Sequence, residues 1–321
     1  MSVHGLQCAI VSPTRGRWFG NYGFQDPEST LPITGDTRFH YASCGKMFTA
    51  AIILYLVREG NITLDDPVAR WFPSYGIPDT VTIDHLLSHT SGIVTSELIP
   101  ANLETRTEIT SANDIVRNVF TYHSDLLFEP GTGYHYSNTG YVMLGLIAES
   151  ASGKSMTELF SELFIEPLAL TNTFYLDGST TPVYCSLSYD EDGHLLHGSE
   201  HPARPHAAGS IVSTPEEFIA MFSALLNGEL LGTETTALFF KDMACIDNGE
   251  NHRVYYGRGI SIIRITKAGH EADYVGHKGH IPFTRSSVFY CPEKNSFLSL
   301  VTNQFVQTID PLMFKLFESL P

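Results

Sequence analysis

The chain has 321 residues, 43% of them hydrophobic, with 19 Lys and Arg against 35 Asp and Glu and a formal charge of -16. That length and apolar content can bury a full core, as one large domain or two coupled lobes, while the negative field repels phosphate backbones and anionic lipids, which argues against nucleic acid and membrane partners. No basic-then-apolar leader opens the sequence and no apolar run nears the roughly 18 residues that span a bilayer, so the sequence as it stands predicts a cytoplasmic protein.

Residues 6–23, LQCAIVSPTRGRWFGNYG, form two β-prone runs around a Pro/Thr/Gly turn, which predicts a hairpin. From Ser43 the apolar residues Met47 to Val57 fill every face of a helix, buried all round, with Gly60 as its C-terminal cap. Helical periodicity returns at 112–122, 138–152 and 155–164, the second of these ended by Gly153. In STPEEFIAMFSALLNG, Thr214 is the expected N-cap, Pro215 the first helical residue and Glu217 the partner in a capping box.

Beyond that helix the period falls to two. The runs 254–265, 271–279, 285–291 and 296–303 read as short strands, and DPLMFKLFESL closes the chain as an amphipathic helix. Strands at both ends with helices between them predict an α/β (α+β) fold. In it, residues 1–40 and 205–321 form a lobe of antiparallel sheet plus helices, and 41–204 form an inserted helical lobe.

Three polar clusters carry possible chemistry. Ser43 and Lys46 make the only S-x-x-K. At this spacing on a helix the amine reaches the hydroxyl, and a neutral lysine there can take the serine proton. The same pair can also be read as a cap and a snorkelling lysine. Tyr136 and Asn138 make the only Y-x-N, just before a helix; they suit a proton relay and an amide holder, or equally a packed aromatic and an N-cap. His277 and Gly279 make the only H-x-G, facing one way from a strand, with Lys278 facing the other and the amide of His280 free for an oxyanion.

In this order the motifs S-x-x-K, Y-x-N and H-x-G resemble the serine β-lactamase and penicillin-binding-protein superfamily, in its class C-like branch of DD-peptidases, esterases and D-aminopeptidases. Nearly the whole chain shares the likeness, including TIDHLLSHTSGI and FEPGTGYHYSNTGYVMLGLIAE. The resemblance implies a beta-lactamase/transpeptidase-like fold with its active site between the lobes. It also implies Ser43 as acylated nucleophile, Lys46 as its base or the base's electrostatic partner, and Tyr136 as relay to the leaving group. Asn138 would hold the substrate's acyl-side amide, His277 and Gly279 would line the opposite wall, and the amides of Ser43 and His280 would bind the oxyanion. No metal or organic cofactor is implied, and the partner is a small ester, amide or short peptide.

H-K-G where efficient β-lactamases have K-T-G removes a permanent ammonium and a hydroxyl, which predicts poor turnover of carboxylate-bearing antibiotics. The runner-up functions are a DD-carboxypeptidase or β-lactamase and a penicillin-binding sensor that is acylated without turnover. His280 and HIPFTR predict a narrow pocket mouth, and Arg285 is either a carboxylate ligand or a solvated strand residue. His85 and His89, at i and i+4 of a helix, lack the third ligand of a metal site. Five scattered cysteines, Cys8, Cys44, Cys185, Cys245 and Cys291, without C-x-x-C, read as free thiols, and Cys44 as a small buried packing residue.

Overall fold

The first and last strands of the chain are neighbours. A computed structural model describes residues 4–12, 16–26, 30–98, 111–176, 186, 188–189, 195–196, 206–281, 284–304, 306 and 308–320. The expected hairpin is β1 (Gly5–Ser12) and β2 (Gly16–Gly23). Short pairs follow in β3 (Phe39–His40), β4 (Phe174–Tyr175), β5 (Ser188–Tyr189), β6 (Leu195–Leu196) and β7 (Ile211–Ser213). The C-terminal strands are β8 (Ala244–Asn248), β9 (His252–Tyr256), β10 (Ser261–Lys267), β11 (His270–Ile281), β12 (Thr284–Cys291) and β13 (Ser296–Thr302).

The main sheet is antiparallel with the order β2-β1-β13-β12-β11-β10-β9-β8, so both ends of the chain build it. β3, β7 and β4 form a second, small sheet. The single run expected at 254–265 is a hairpin, β9 and β10, because Gly257 to Ile260 turn the chain between them. β8 was not expected; it is an edge strand with a register shift between Cys245 and Asp247 and much exposed surface, which hides the alternation that marks a strand.

The helices that cover the sheet and frame the site include α1 (Lys46–Arg58), α2 (Ile83–Leu87), α3 (Ala112–Tyr122), α4 (Asn138–Ser152), a run from Met156 to Leu168 with a wide turn at Ser161–Ile165, α5 (Pro215–Leu226) and α6 (Asp310–Glu318); a further short helix is Thr233–Ala237. The helix expected to start at Ser43 starts at Lys46; Ser43 lies in a 3-10 turn, Ala42–Gly45, that leads into it. α1 ends as expected: Gly60 is left-handed (φ 77), and the amides of Gly60 and Asn61 bond the carbonyls of Val57 and Leu56.

Thr214 caps α5, but the capping box is only half formed. The Glu217 carboxylate accepts from the amides of Thr171 and Asn172 and the hydroxyl of Thr173 instead, tying the chain before β4 to α5.

Both faces of the main sheet are covered. Ala9, Val288, Phe297 and Val301 join the core of α1, α4 and α5 on one face; Cys8, Ile10, Phe289, Leu298 and Leu300 join Met313 and Phe317 of α6 on the other. This is why β13 is buried at every position instead of alternating. No helix among the described residues is long and apolar enough to cross a membrane.

Candidate active site

The nucleophile candidate sits on a turn that the rest of the fold pins. Ala42 is left-handed (φ 46), a backbone state that costs a non-glycine residue on the order of 1–3 kcal/mol and persists only when its surroundings enforce it. Those surroundings are visible. The Tyr41 amide bonds Ile211 of β7 (2.9 Å), and the Tyr41 carbonyl accepts from the Ser286 hydroxyl of β12 (2.7 Å). The Tyr41 ring stacks on Phe218 of α5. A Cβ on Gly279 of β11 would collide with the Tyr41 carbonyl and the Ser286 hydroxyl, so this glycine lets β11 lie against the turn.

Side chains at i and i+3 eclipse in a 3-10 turn, and Lys46 Nζ accordingly lies 3.0 Å from Ser43 Oγ. The ammonium also donates to Asn138 Oδ1 (2.6 Å) and to the Ala208 carbonyl (2.7 Å). Lys46 has no solvent exposure, and burial pulls its amine down to about 7, against the opposing influence of the Glu97 carboxylate.

The three partners differ in kind. Asn138 Oδ1 and the Ala208 carbonyl only accept, whereas the Ser43 hydroxyl can also donate. When Lys46 is neutral, its two protons satisfy the two fixed acceptors and its lone pair is directed at the Ser43 proton. The tyrosine lies on the other side: the Tyr136 phenol is hydrogen-bonded to the Ser43 side chain, and burial raises it well above the usual tyrosine range.

Asn138 is the first residue of α4, and Ser137 is the N-cap, its hydroxyl accepting from the Gly140 amide (3.2 Å). That leaves the carboxamide of Asn138 free of capping and able to face Lys46. Its Nδ2 donates to Glu97 Oε1 (2.7 Å), and its amide bonds the Thr95 hydroxyl (3.2 Å).

His277, on β11, is 5% exposed, and its ring centroid lies 6.2 Å from that of Tyr136. A carbonyl only accepts, so the contact of Nδ1 with the Lys278 carbonyl (2.6 Å) puts the proton on Nδ1, and Nε2 accepts from the Tyr256 phenol (3.0 Å). Burial, with the charge of Lys46 adding to it, pulls this imidazole down to about 3. Lys278 faces outward to Asp310 (2.5 Å), and the ring of the next-but-one residue, His280, is exposed. Arg285 is not a solvated strand residue: it is 7% exposed, and Nη1 donates to the Ile281 and Thr284 carbonyls. Cys44 is fully buried, its thiol donating to the His277 carbonyl (3.2 Å) and raised by burial to about 12.

Several residues join the site without a sequence signal that singled them out. Tyr256 and Gly259 come from the β9–β10 hairpin; Gly259 is left-handed (φ 74) and its amide bonds the Leu87 carbonyl at the end of α2 (3.3 Å). Beside it the buried Arg258 clamps Asp84 of α2 at 2.5 and 2.9 Å, which locks the hairpin beneath the site. Glu97 and the Ala208 carbonyl come from a 3-10 turn each.

His85 and His89 do not share a helix. α2 ends at Leu87, and His89 is left-handed (φ 60); His85 Nδ1 accepts from the Thr82 amide at the start of α2. No group of three or more potential ligand side chains that could hold a metal occurs among the described residues. Cys8, Cys44, Cys245 and Cys291 are free thiols; Cys185 lies outside the described residues.

A large antiparallel sheet drawn from both chain ends and flanked by helices is the architecture of the β-lactamase/transpeptidase-like fold. Residues 1–313 match the family model described as Beta-lactamase, and the chain belongs to that family, whose general mechanism runs through an acyl-serine.

Among solved structures, the D-amino acid amidase from Ochrobactrum anthropi SV3 complexed with L-phenylalanine superposes with a TM-score of 0.80 at 27% identity, covering 95% of this chain and 87% of that one. The penicillin-binding protein from Bacillus halodurans gives 0.82 at 25% identity, covering 97% and 96%. Protein flp of Staphylococcus aureus is 31% identical over 201 residues, 60% of this chain. The aligned part spans only 38% of that relative's length.

Proposed function

We propose that this protein is an acyl-serine amidase or esterase acting on small substrates without a carboxylate beside the scissile bond, D-amino-acid amides among them. In this reading the site lies between a sheet lobe, residues 1–40 with 205–321, and a helical lobe, residues 41–204. Neutral Lys46 takes the Ser43 proton as Oγ bonds to the carbonyl carbon, and the amides of Ser43 and His280 receive the oxyanion. The leaving group departs with a proton delivered through Tyr136 and Lys46; water then attacks the acyl-Ser43 ester, returning the proton to Ser43 Oγ. Asn138, with Gly279 and His277 opposite, borders the substrate. No cofactor enters these steps.

The single observation carrying this reading is the arrangement of Lys46 Nζ, with two partners that only accept and one, 3.0 Å away at Ser43, that can also donate. The substrate class rests on charge. His277 holds no proton on Nε2 and offers no cation, and Glu97 places a carboxylate against Asn138, so a neutral or amine-bearing acyl group is favoured over an anionic one. The same argument disfavours a dedicated β-lactamase or DD-carboxypeptidase. The D-amino acid amidase likeness, at 27% identity, leans the same way.

Intact-mass detection after incubation with short-chain esters, D- and L-amino-acid amides and penicillins tests it. The expected result is a transient acyl adduct on Ser43 with esters or amides, steady product release, and no adduct in Ser43→Ala. Efficient penicillin turnover, or a burst of one equivalent with no further release, contradicts the reading.

A further inference from the structure

His89 touches neither Ser43 nor Lys46 by any hydrogen bond described above, yet it holds the tyrosine between them and the far wall. Its carbonyl accepts from the His135 amide (2.9 Å), and its Nδ1 accepts from the Ser137 amide (3.1 Å). Those two residues flank Tyr136. Between them the imidazole packs on the Tyr136 ring itself, centroids 4.2 Å apart and planes tilted by 38°.

An amide can only donate, so Nδ1 has no proton and the neutral ring carries it on Nε2. That nitrogen is buried without a hydrogen-bond partner among the described residues, and the centroid of the imidazole lies 5.0 Å from that of the Tyr141 ring and 4.9 Å from that of Tyr256. An unsatisfied buried N–H is costly, and the left-handed backbone at His89 (φ 60) adds to that cost. Two costs retained at one residue are the mark of a group kept for what it positions. Burial, with the charge of Lys46 contributing, pulls this imidazole well below the usual histidine range, which favours the neutral ring with its acceptor at Nδ1.

We propose that His89 is a positioning residue that fixes the Tyr136 phenol at the Ser43 hydroxyl, by holding the amides of the residues on both sides of Tyr136 and packing on its ring. This rests on the reading of Tyr136 as the relay that protonates the leaving group. A displaced phenol matters most where the leaving group needs a proton, as an amine does, and least for p-nitrophenolate.

The test compares an amide and a p-nitrophenyl ester of one acyl group across wild type, Tyr136→Phe, His89→Ala, His89→Asn and the double variant His89→Ala/Tyr136→Phe. His89→Ala is expected to lower amide turnover about 100-fold and ester turnover less than about tenfold, since a misplacement near 1 Å costs about that factor. Adding His89→Ala to Tyr136→Phe is expected to lower the amide rate no further.

Asparagine tolerates the left-handed backbone and offers an acceptor oxygen near the Nδ1 position, so His89→Asn is expected between wild type and His89→Ala. Equal losses on both substrates, or full additivity in the double variant, overturn the proposal. If His89→Ala does not fold, His89→Asn carries the test, and a wild-type amide-to-ester ratio there overturns it. A wild-type ratio in Tyr136→Phe sinks the parent reading of Tyr136, whereas a changed ratio there with none at His89 sinks the clamp alone.

Discussion

Lys46 and His277 are two buried bases in one cleft, both depressed by desolvation, and they end in different places: about 7 for the amine and about 3 for the imidazole. Burial alone would silence both as cations. The difference is the one they start with, 10.5 for the amine against 6.5 for the imidazole, since the two fall by a similar amount. His277 is satisfied as a neutral ring, donating to a carbonyl and accepting from Tyr256, so nothing is gained by adding a proton. Lys46 faces two acceptors and a hydroxyl, and its higher ordinary value, with the Glu97 carboxylate opposing burial, leaves its charged form within reach at neutral pH. The amine can exchange a proton near neutrality, and the imidazole cannot.

The largest expected effect that would sharpen this contrast is on turnover. Lys46→Met should lower kcat on esters and amides by about 10²- to 10⁴-fold, the usual range for a lost general base. A variant retaining most of its activity would break the contrast and pass the first proton to Tyr136.

His277→Gln, which keeps an acceptor for Tyr256, should cost less than about tenfold and leave the position of the pH-rate inflection where it is, because His277 does not titrate near neutrality. An inflection that vanished in this variant would exchange the roles of the two residues.

The smallest expected effect is on stability. A lysine free in the unfolded chain keeps its proton to about pH 10.5, whereas in the fold it gives it up near 7. Between those values the unfolded state binds more protons, so stability rises with pH across that window, and the full penalty of the buried charge is felt below 7. Lys46→Met should therefore raise Tm most at pH 6 and progressively less toward pH 10. A gap independent of pH would mean that Lys46 stays charged in the fold across the range tested.

Much of the fold is legible in the sequence because its signals are local. The apolar run after Lys46, Gly60 past the end of α1, Thr214-Pro215 ahead of α5 and the short C-terminal runs each report a backbone state through their own side chains. Ser43 with Lys46, and Tyr136 with Asn138, are also local pairs, which is why spacing alone suggests their chemistry.

What spacing does not reveal is what long-range packing supplies. The Ala208 carbonyl has no side-chain signature, Glu97 lies in an exposed turn like many acidic residues, and Tyr256 is one of two adjacent tyrosines whose facing is set only by the β9–β10 register. His89 was misplaced for the same reason: H-x-x-x-H reads as one helical face, but α2 stops at Leu87 and the chain turns left-handed two residues later. The Glu217 carboxylate left its own helix end because three donors at Thr171, Asn172 and Thr173 arrive from elsewhere in the fold.

The pH dependence of Ser43 labelling by a fluorophosphonate probe most directly tests whether Lys46 is the base. Acylation should accelerate as pH rises, with an inflection near 7 that is absent in Lys46→Met and unchanged in His277→Gln. A rate that is flat across neutrality, or an inflection near the ordinary lysine value, would contradict the account.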